Sequence, residues 1–105
     1  MNNSPEAYPD MSVWMKRIPA PHPQVAATQV DGQAVIVLAD SGQMLTLNPV
    51  GTRLWELCDG RRCAAEIAER LQAEYDVSLD AAIRDTHDFL QQLVSVGALV
   101  WAGVE

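Results

Sequence analysis

The sequence is poor in the residues that most catalytic and metal-binding chemistry needs. Among 105 residues there are two cysteines and two histidines. Two thiols are too few for a disulfide scaffold. Cys58 and Cys63, with only His22 and His87 far off in the chain, fall short of the four converging ligands of a typical zinc site. No metal and no cofactor is therefore expected. Basic residues are scarce too: seven Lys and Arg stand against fourteen Asp and Glu, a formal net charge of −7. Glu6, Asp10, Lys16 and Arg17 cancel within residues 1–23, so the excess acid lies in the remainder. Phosphate neutralisation supplies most non-specific nucleic-acid affinity, so this balance argues against nucleic acid and anionic membranes and suits a partner carrying basic groups. No apolar run approaches the roughly 20 residues of a membrane helix. The first twenty residues hold no continuous apolar stretch of the secretory-signal kind, and the expected compartment is the cytoplasm, where both thiols stay reduced.

Catalytic constellations are missing as well. A nucleophile needs a base within reach, and His87, the one histidine of the expected folded part, lies between Thr86 and Asp88 and reads as a solvated or contact residue. The carboxylates Glu66 with Glu69, and Asp85 with Asp88, share helix faces and read as an exposed acidic surface. No glycine pattern matches a phosphate cradle. The residues support no enzyme class.

What is present is enough for one globular domain: 49% of the residues are apolar and 20% charged. Five of the six prolines fall in residues 1–23, where each lacks a backbone donor. That segment reads as a flexible tail in which Val13, Trp14 and Met15 can dock, and residues 24–105 as the domain. Val25–Val30 and Ala34–Leu38 read as strands joined at Asp31-Gly32, a pair that tolerates the positive φ of a tight hairpin. Asp40-Ser41-Gly42 turns the chain again into a third strand, Gln43–Leu47. Asn48 is a good helix N-cap and Pro49 fits the first helical position. The helix that follows places Val50, Leu54, Leu57 and Cys58 at helical spacing and stops at Gly60. A second helix spans Ala64 to Tyr75 with Ile67, Ala68, Leu71 and Tyr75 as its stripe. Its N-cap, Cys63, is a poor acceptor, with Glu66 completing a capping box. A third runs from Ser78 to about Val96, with Ile83, Thr86, Phe89, Leu90 and Leu93 inward. Ala98 to Trp101 reads as an apolar tail packing back. The expected class is α+β, winged-helix-like: a three-stranded antiparallel sheet followed by three helices. The third strand lies at a sheet edge, and an open edge can accept an extended peptide as an extra strand.

The stretch Leu47-Asn48-Pro49-Val50-Gly51-Thr52-Arg53-Leu54-Trp55-Glu56-Leu57 resembles the LN-x-x-[GA]-x-x-[IL]-W-x-L signature of PqqD-like proteins. Asp59-Gly60, the pattern from Arg61 through Leu71, Tyr75-Asp76-Val77, Phe89 to Leu93 and Gly97 to Val100 follow in the family's order. The resemblance covers residues 24–101. It implies a RiPP recognition element, a peptide chaperone that binds the leader of a ribosomally made precursor peptide. Such a domain hands the leader to a modifying enzyme, often a radical SAM protein, or to a leader peptidase in lasso-peptide systems. Carried over by position, it implies a peptide-binding strand at Gln43, Met44, Leu45, Thr46 and Leu47 and a helix wall at Ile83, Arg84, His87, Leu90 and Gln91. Cys63 stands where the family most often has Thr, and the front half looks like the general family, so the pathway, PQQ synthesis, lasso peptide or other, stays open. Two rival readings remain at the level of sequence. One is a winged-helix DNA-binding regulator, disfavoured by Asp80, Asp85 and Asp88 beside Arg84 alone. The other is an enzyme-docking module without a peptide substrate.

Overall fold

The computed structural model describes residues 11–102. In chain order these form α1 (Met11–Trp14), β1 (Ile18–Pro21), β2 (Val25–Val30), β3 (Gln33–Leu38), β4 (Met44–Thr46), α2 (Pro49–Leu57), α3 (Ala64–Tyr75), α4 (Leu79–Ser95) and β5 (Leu99–Ala102). The expected α+β class holds: an antiparallel sheet in the order β2-β3-β4 precedes three helices. A second sheet, β1 with β5, was not anticipated.

Local chemistry explains the main sheet. Asp31 and Gly32 both sit at positive φ, 54° and 79°, the conformation a two-residue hairpin turn needs to match strand twist. β3 alternates half-buried and buried along its length. Ala34, Ile36 and Leu38 form its inner face, and Ile36 is fully buried. Asn48 caps α2 as expected: the Gly51 N–H donates to its Oδ1 at 2.7 Å. The buried positions of α2 are Gly51, Thr52, Leu54 and Leu57, whereas Val50, expected inside, is exposed. α2 lies on β3, and α3 packs along α4. Ile67, Leu71, Leu90 and Leu99 are fully buried at the centre of the helical layer.

The proline-rich segment 1–23 behaves differently from a tail over the residues described; residues 1–10 lie outside them. Ile18 to Pro21 pair with Ala102 to Leu99, so the expected C-terminal apolar tail is a paired strand. The prolines explain how. Pro19 and Pro21 alternate with Ile18 and Ala20, so all missing donors fall on one side of β1. A proline-bearing strand of that kind is tolerated at a sheet edge. On that outer side the Pro19 carbonyl accepts from the Gly60 N–H at 3.0 Å. Arg17 and Met15 carbonyls likewise take up the Ala64 and Ala65 N–H groups at the start of α3. Trp14 is 6% exposed and joins the core. Its ring lies 5.9 Å from that of Trp101 in β5, and Arg17 covers the other partner, 4.4 Å from the Trp101 centroid.

Candidate functional site

The register of β4 decides which of its backbone groups are available. The Leu38 N–H donates to the Gln43 carbonyl, and the Leu47 N–H donates to the Ala34 carbonyl, both at 2.9 Å. Bonded and non-bonded pairs alternate in an antiparallel ladder. Ile36–Leu45 is therefore a bonded pair, while Val37–Met44 and Val35–Thr46 are not. The N–H and C=O groups of Met44 and Thr46 point away from β3, toward the open edge. Their side chains occupy the outer face of the sheet, with Met44 63% exposed. Leu45 and Leu47 turn the other way and pack against the core.

This edge is held in place from beneath. Thr52 Oγ1 accepts from the Ala34 N–H at 2.8 Å and donates to the Leu47 carbonyl at 3.3 Å. One buried hydroxyl thus ties α2 to both the start of β3 and the end of β4. A Cβ on Gly51 would lie 3.2 Å from Asn48 Oδ1, 3.4 Å from Leu47 Cβ and 3.5 Å from a ring carbon of Phe89. That near-contact fixes the neighbour of β4 on α4: Phe89 faces the end of the strand. At the far end of α4, Val96 and Gly97 border a small cleft with the segment from His22 to Val25 and with Leu38, Ala39, Asp40 and Ser41. Asp85, Phe89, Gln92 and Val96 recur at i, i+4, i+7 and i+11, so they share the flank that carries Phe89. Phe89 on that flank and Leu47 at the end of β4 meet beside Gly51 of α2.

Gln43, Met44, Leu45, Thr46 and Leu47, the expected strand residues, are together on β4 and its ends. The expected helix wall is placed elsewhere. Leu90 is fully buried and has no surface to offer a ligand. Ile83, Arg84, His87 and Gln91 lie on the flank of α4 opposite Phe89. His87 faces α1, its ring 4.6 Å from that of Trp14, and also approaches Asp88 Oδ1 at 3.3 Å. Helical periodicity identifies the buried stripe of α4, here Ala82, Thr86, Leu90 and Leu93, but both flanks of that stripe look alike in sequence. Which one meets β4 depends on how α1 and β5 fill the other side. Thr52 was also missed; its only sequence signal is a polar residue one step from Gly51 on the inward side of a short helix.

The ion pairs between α2 and α3 are structural. The Arg53 guanidinium bonds both carboxylate oxygens of Glu74, at 2.8 and 2.9 Å, and Glu56 at 3.1 Å. These contacts raise the Arg53 pKa and hold Glu74 below the usual carboxylate range. Burial pushes the Cys58 thiol up to about 12, so it stays protonated and unreactive. No group of three or more metal-ligating side chains occurs among the described residues. None of the described helices is long and apolar enough to cross a membrane. The outward backbone groups of β4 are of the kind that can pair with an extended chain.

No curated protein matches the chain. Among solved structures it is similar to TbiB1 in complex with the TbiA(beta) leader peptide, at 27% identity and a TM-score of 0.72, over 82% of this chain and 98% of that one. A lasso peptide synthetase B1 complexed with the leader peptide shares the fold, with a TM-score of 0.72 at 23% identity over 78% of this chain and 96% of that one. The family model described as Coenzyme PQQ synthesis protein D (PqqD) matches residues 33–99, from the start of β3 to the start of β5, and the chain belongs to the PqqD family.

Proposed function

We propose that this chain binds the leader segment of a ribosomally synthesised precursor peptide and presents it to a modifying enzyme or leader peptidase. The observation that carries the reading is the open edge of β4, with the backbone groups of Met44 and Thr46 turned outward beside α4. Its solved relative TbiB1 is a complex with a leader peptide. The leader adds as a strand, so main-chain hydrogen bonds supply affinity and the flanking side chains set preference. Phe89, Gln92 and Val96 form the helix wall, in place of Ile83, Arg84, His87 and Gln91, and Leu45 and Leu47 form the floor. The chain acts by binding, in the cytoplasm, and the chemistry belongs to the enzyme it serves.

The test is a fluorescence-anisotropy titration of labelled leaders encoded beside this chain's gene. Saturable binding that survives truncation of the core but not of the leader is expected. Thr46→Pro removes one outward donor and should weaken binding by about tenfold, the equivalent of one lost hydrogen bond, while Thr46→Val keeps the donor and binds normally. A folded Thr46→Pro variant with unchanged affinity would rule out strand addition at β4.

A further inference from the structure

Two Asp-Gly pairs occur in the sequence, Asp31-Gly32 and Asp59-Gly60. Such a pair carries its own chemistry. The backbone nitrogen of the glycine can attack the aspartate Cγ and close a succinimide ring, because glycine has no side chain to crowd the approach. A C–N bond forms, a carboxyl C–O bond breaks, and water leaves with the amide hydrogen. A second water then opens the ring. Addition at Cγ restores aspartate. Addition at the main-chain carbonyl carbon leaves isoaspartate, whose backbone runs through the former side chain. No oxidant or reductant is consumed.

The fold treats the two pairs differently. Asp59 is tied down: its Oδ1 accepts from the Arg61 N–H at 3.0 Å and its Oδ2 from Arg62 Nη1 at 2.9 Å. The Gly60 N–H, the attacking group, donates to the Pro19 carbonyl at 3.0 Å, and a Cβ on Gly60 would lie 3.4 Å from Ala20 Cβ. Ring closure there first requires parting from β1. Asp31 is exposed, and Asp31-Gly32 forms the tip of the β2–β3 hairpin. Among the described residues, neither the Asp31 carboxylate nor the Gly32 N–H has a hydrogen-bond partner. Nothing lies within 4 Å of the place a Gly32 Cβ would take. Both residues are at positive φ, 54° and 79°, a conformation that costs an aspartate energy and that opening of the turn relieves. The hold on the turn is the last pair of the ladder, Val30 with Gln33, and local opening concentrates at such ends.

We propose that Asp31 is a site of spontaneous isomerisation to isoaspartate in the folded protein, and that Asp59 is not. The position of the turn gives the modification its effect. A two-residue loop works because its φ values match the twist of the strands it joins, and isoaspartate lengthens its main chain by one methylene. The device that sets β2 in register with β3 is thereby lost. β3 keeps its place, because β4 pairs with its other side and the Ala34 N–H donates to Thr52 Oγ1. β2 is the element released. The inference uses the hairpin tip alone and is independent of what pairs with β4.

The experiment incubates the folded full chain in heavy-oxygen water at physiological temperature and pH, digests it, and reads the two Asp-Gly peptides by mass spectrometry. Each pass through the succinimide leaves a solvent oxygen in the residue, and isoaspartate separates from aspartate by chromatography. Label and isoaspartate should accumulate at Asp31 at least about tenfold faster than at Asp59, the equivalent of one hydrogen bond held against opening. In urea the two rates should converge. Asp31→Asn, a residue that also tolerates this φ, closes the ring with loss of ammonia and should convert faster still. NMR of the aged chain should show altered amides along β2, with Met44 and Thr46 unmoved. Equal rates at the two pairs in the folded chain, faster conversion at Asp59, or conversion at Asp31 only in urea would overturn the proposal. Shifts that reach Met44 and Thr46 would overturn the assignment of β2 as the element released.

Discussion

Thr52 engages two backbone groups with one hydroxyl, and its removal reaches further than its size suggests. Thr52→Val preserves the shape and leaves the Ala34 N–H buried without an acceptor, a loss of about 1–3 kcal/mol. Thr52→Ser retains the bond and should cost much less; urea denaturation of both variants measures the difference. The cysteines form a second contrast. Cys63 is half-buried and Cys58 is buried, so a thiol reagent applied to the native protein should label Cys63 and reach Cys58 only on unfolding. The Cys58 thiol in the folded chain titrates near 12, against about 8.5 for a free thiol. Its contribution to stability is full below the free value and is lost as pH rises from there toward the folded one. Stability measured across that alkaline range should decline, and Cys58→Ala should flatten the decline. Legibility at this scale was uneven. Asn48, Asp31 and Gly32 were readable because caps and tight turns are local chemistry. Phe89 and Thr52 were not, because their partners are distant in the chain.

Among the elements, α1, β1 and β5 are where sequence and structure part. Five prolines in the first 23 residues suggested a tail, yet two of them alternate along β1 so that each missing N–H falls on the side away from β5. Spacing, not proline content, decides whether a segment can pair, and a composition argument cannot see spacing. The partner strand, Leu99–Ala102, stands some eighty residues downstream, so no local signal announced the ribbon. β2, β3, α2, α3 and α4 were legible because hairpin turns, caps and periodic stripes mark them within a few residues. The ribbon matters energetically. Trp14→Ala empties a buried site between α4 and β5 and should cost about 3 kcal/mol, seen as a lower midpoint in urea. An unchanged midpoint would mean that this segment is dispensable to the fold.

At the level of the whole molecule, Arg53 links the end of α3 to α2 through Glu74 and Glu56. The partners are about a third exposed, so Arg53→Ala should cost no more than about 1 kcal/mol at low salt and less still at high salt. Glu74 titrates below its ordinary value in the folded state. Its share of stability is present above that ordinary value and is lost as pH falls through the folded one, so the acid limb of the stability profile should shallow in the Arg53→Ala variant. The net charge of −7 opposes close approach of two copies. The brevity of β4, three residues long, has a consequence for how such a domain evolves. Backbone pairing along so short an edge is blind to sequence, so under the proposed function the telling apart of precursors falls to side chains beside that edge. Specificity is a difference between affinities, and exchanging those side chains rewrites it without touching the core. On that reading a lineage acquires a new client, or an engineer an orthogonal pair, by editing surface residues beside β4, Phe89 first among them.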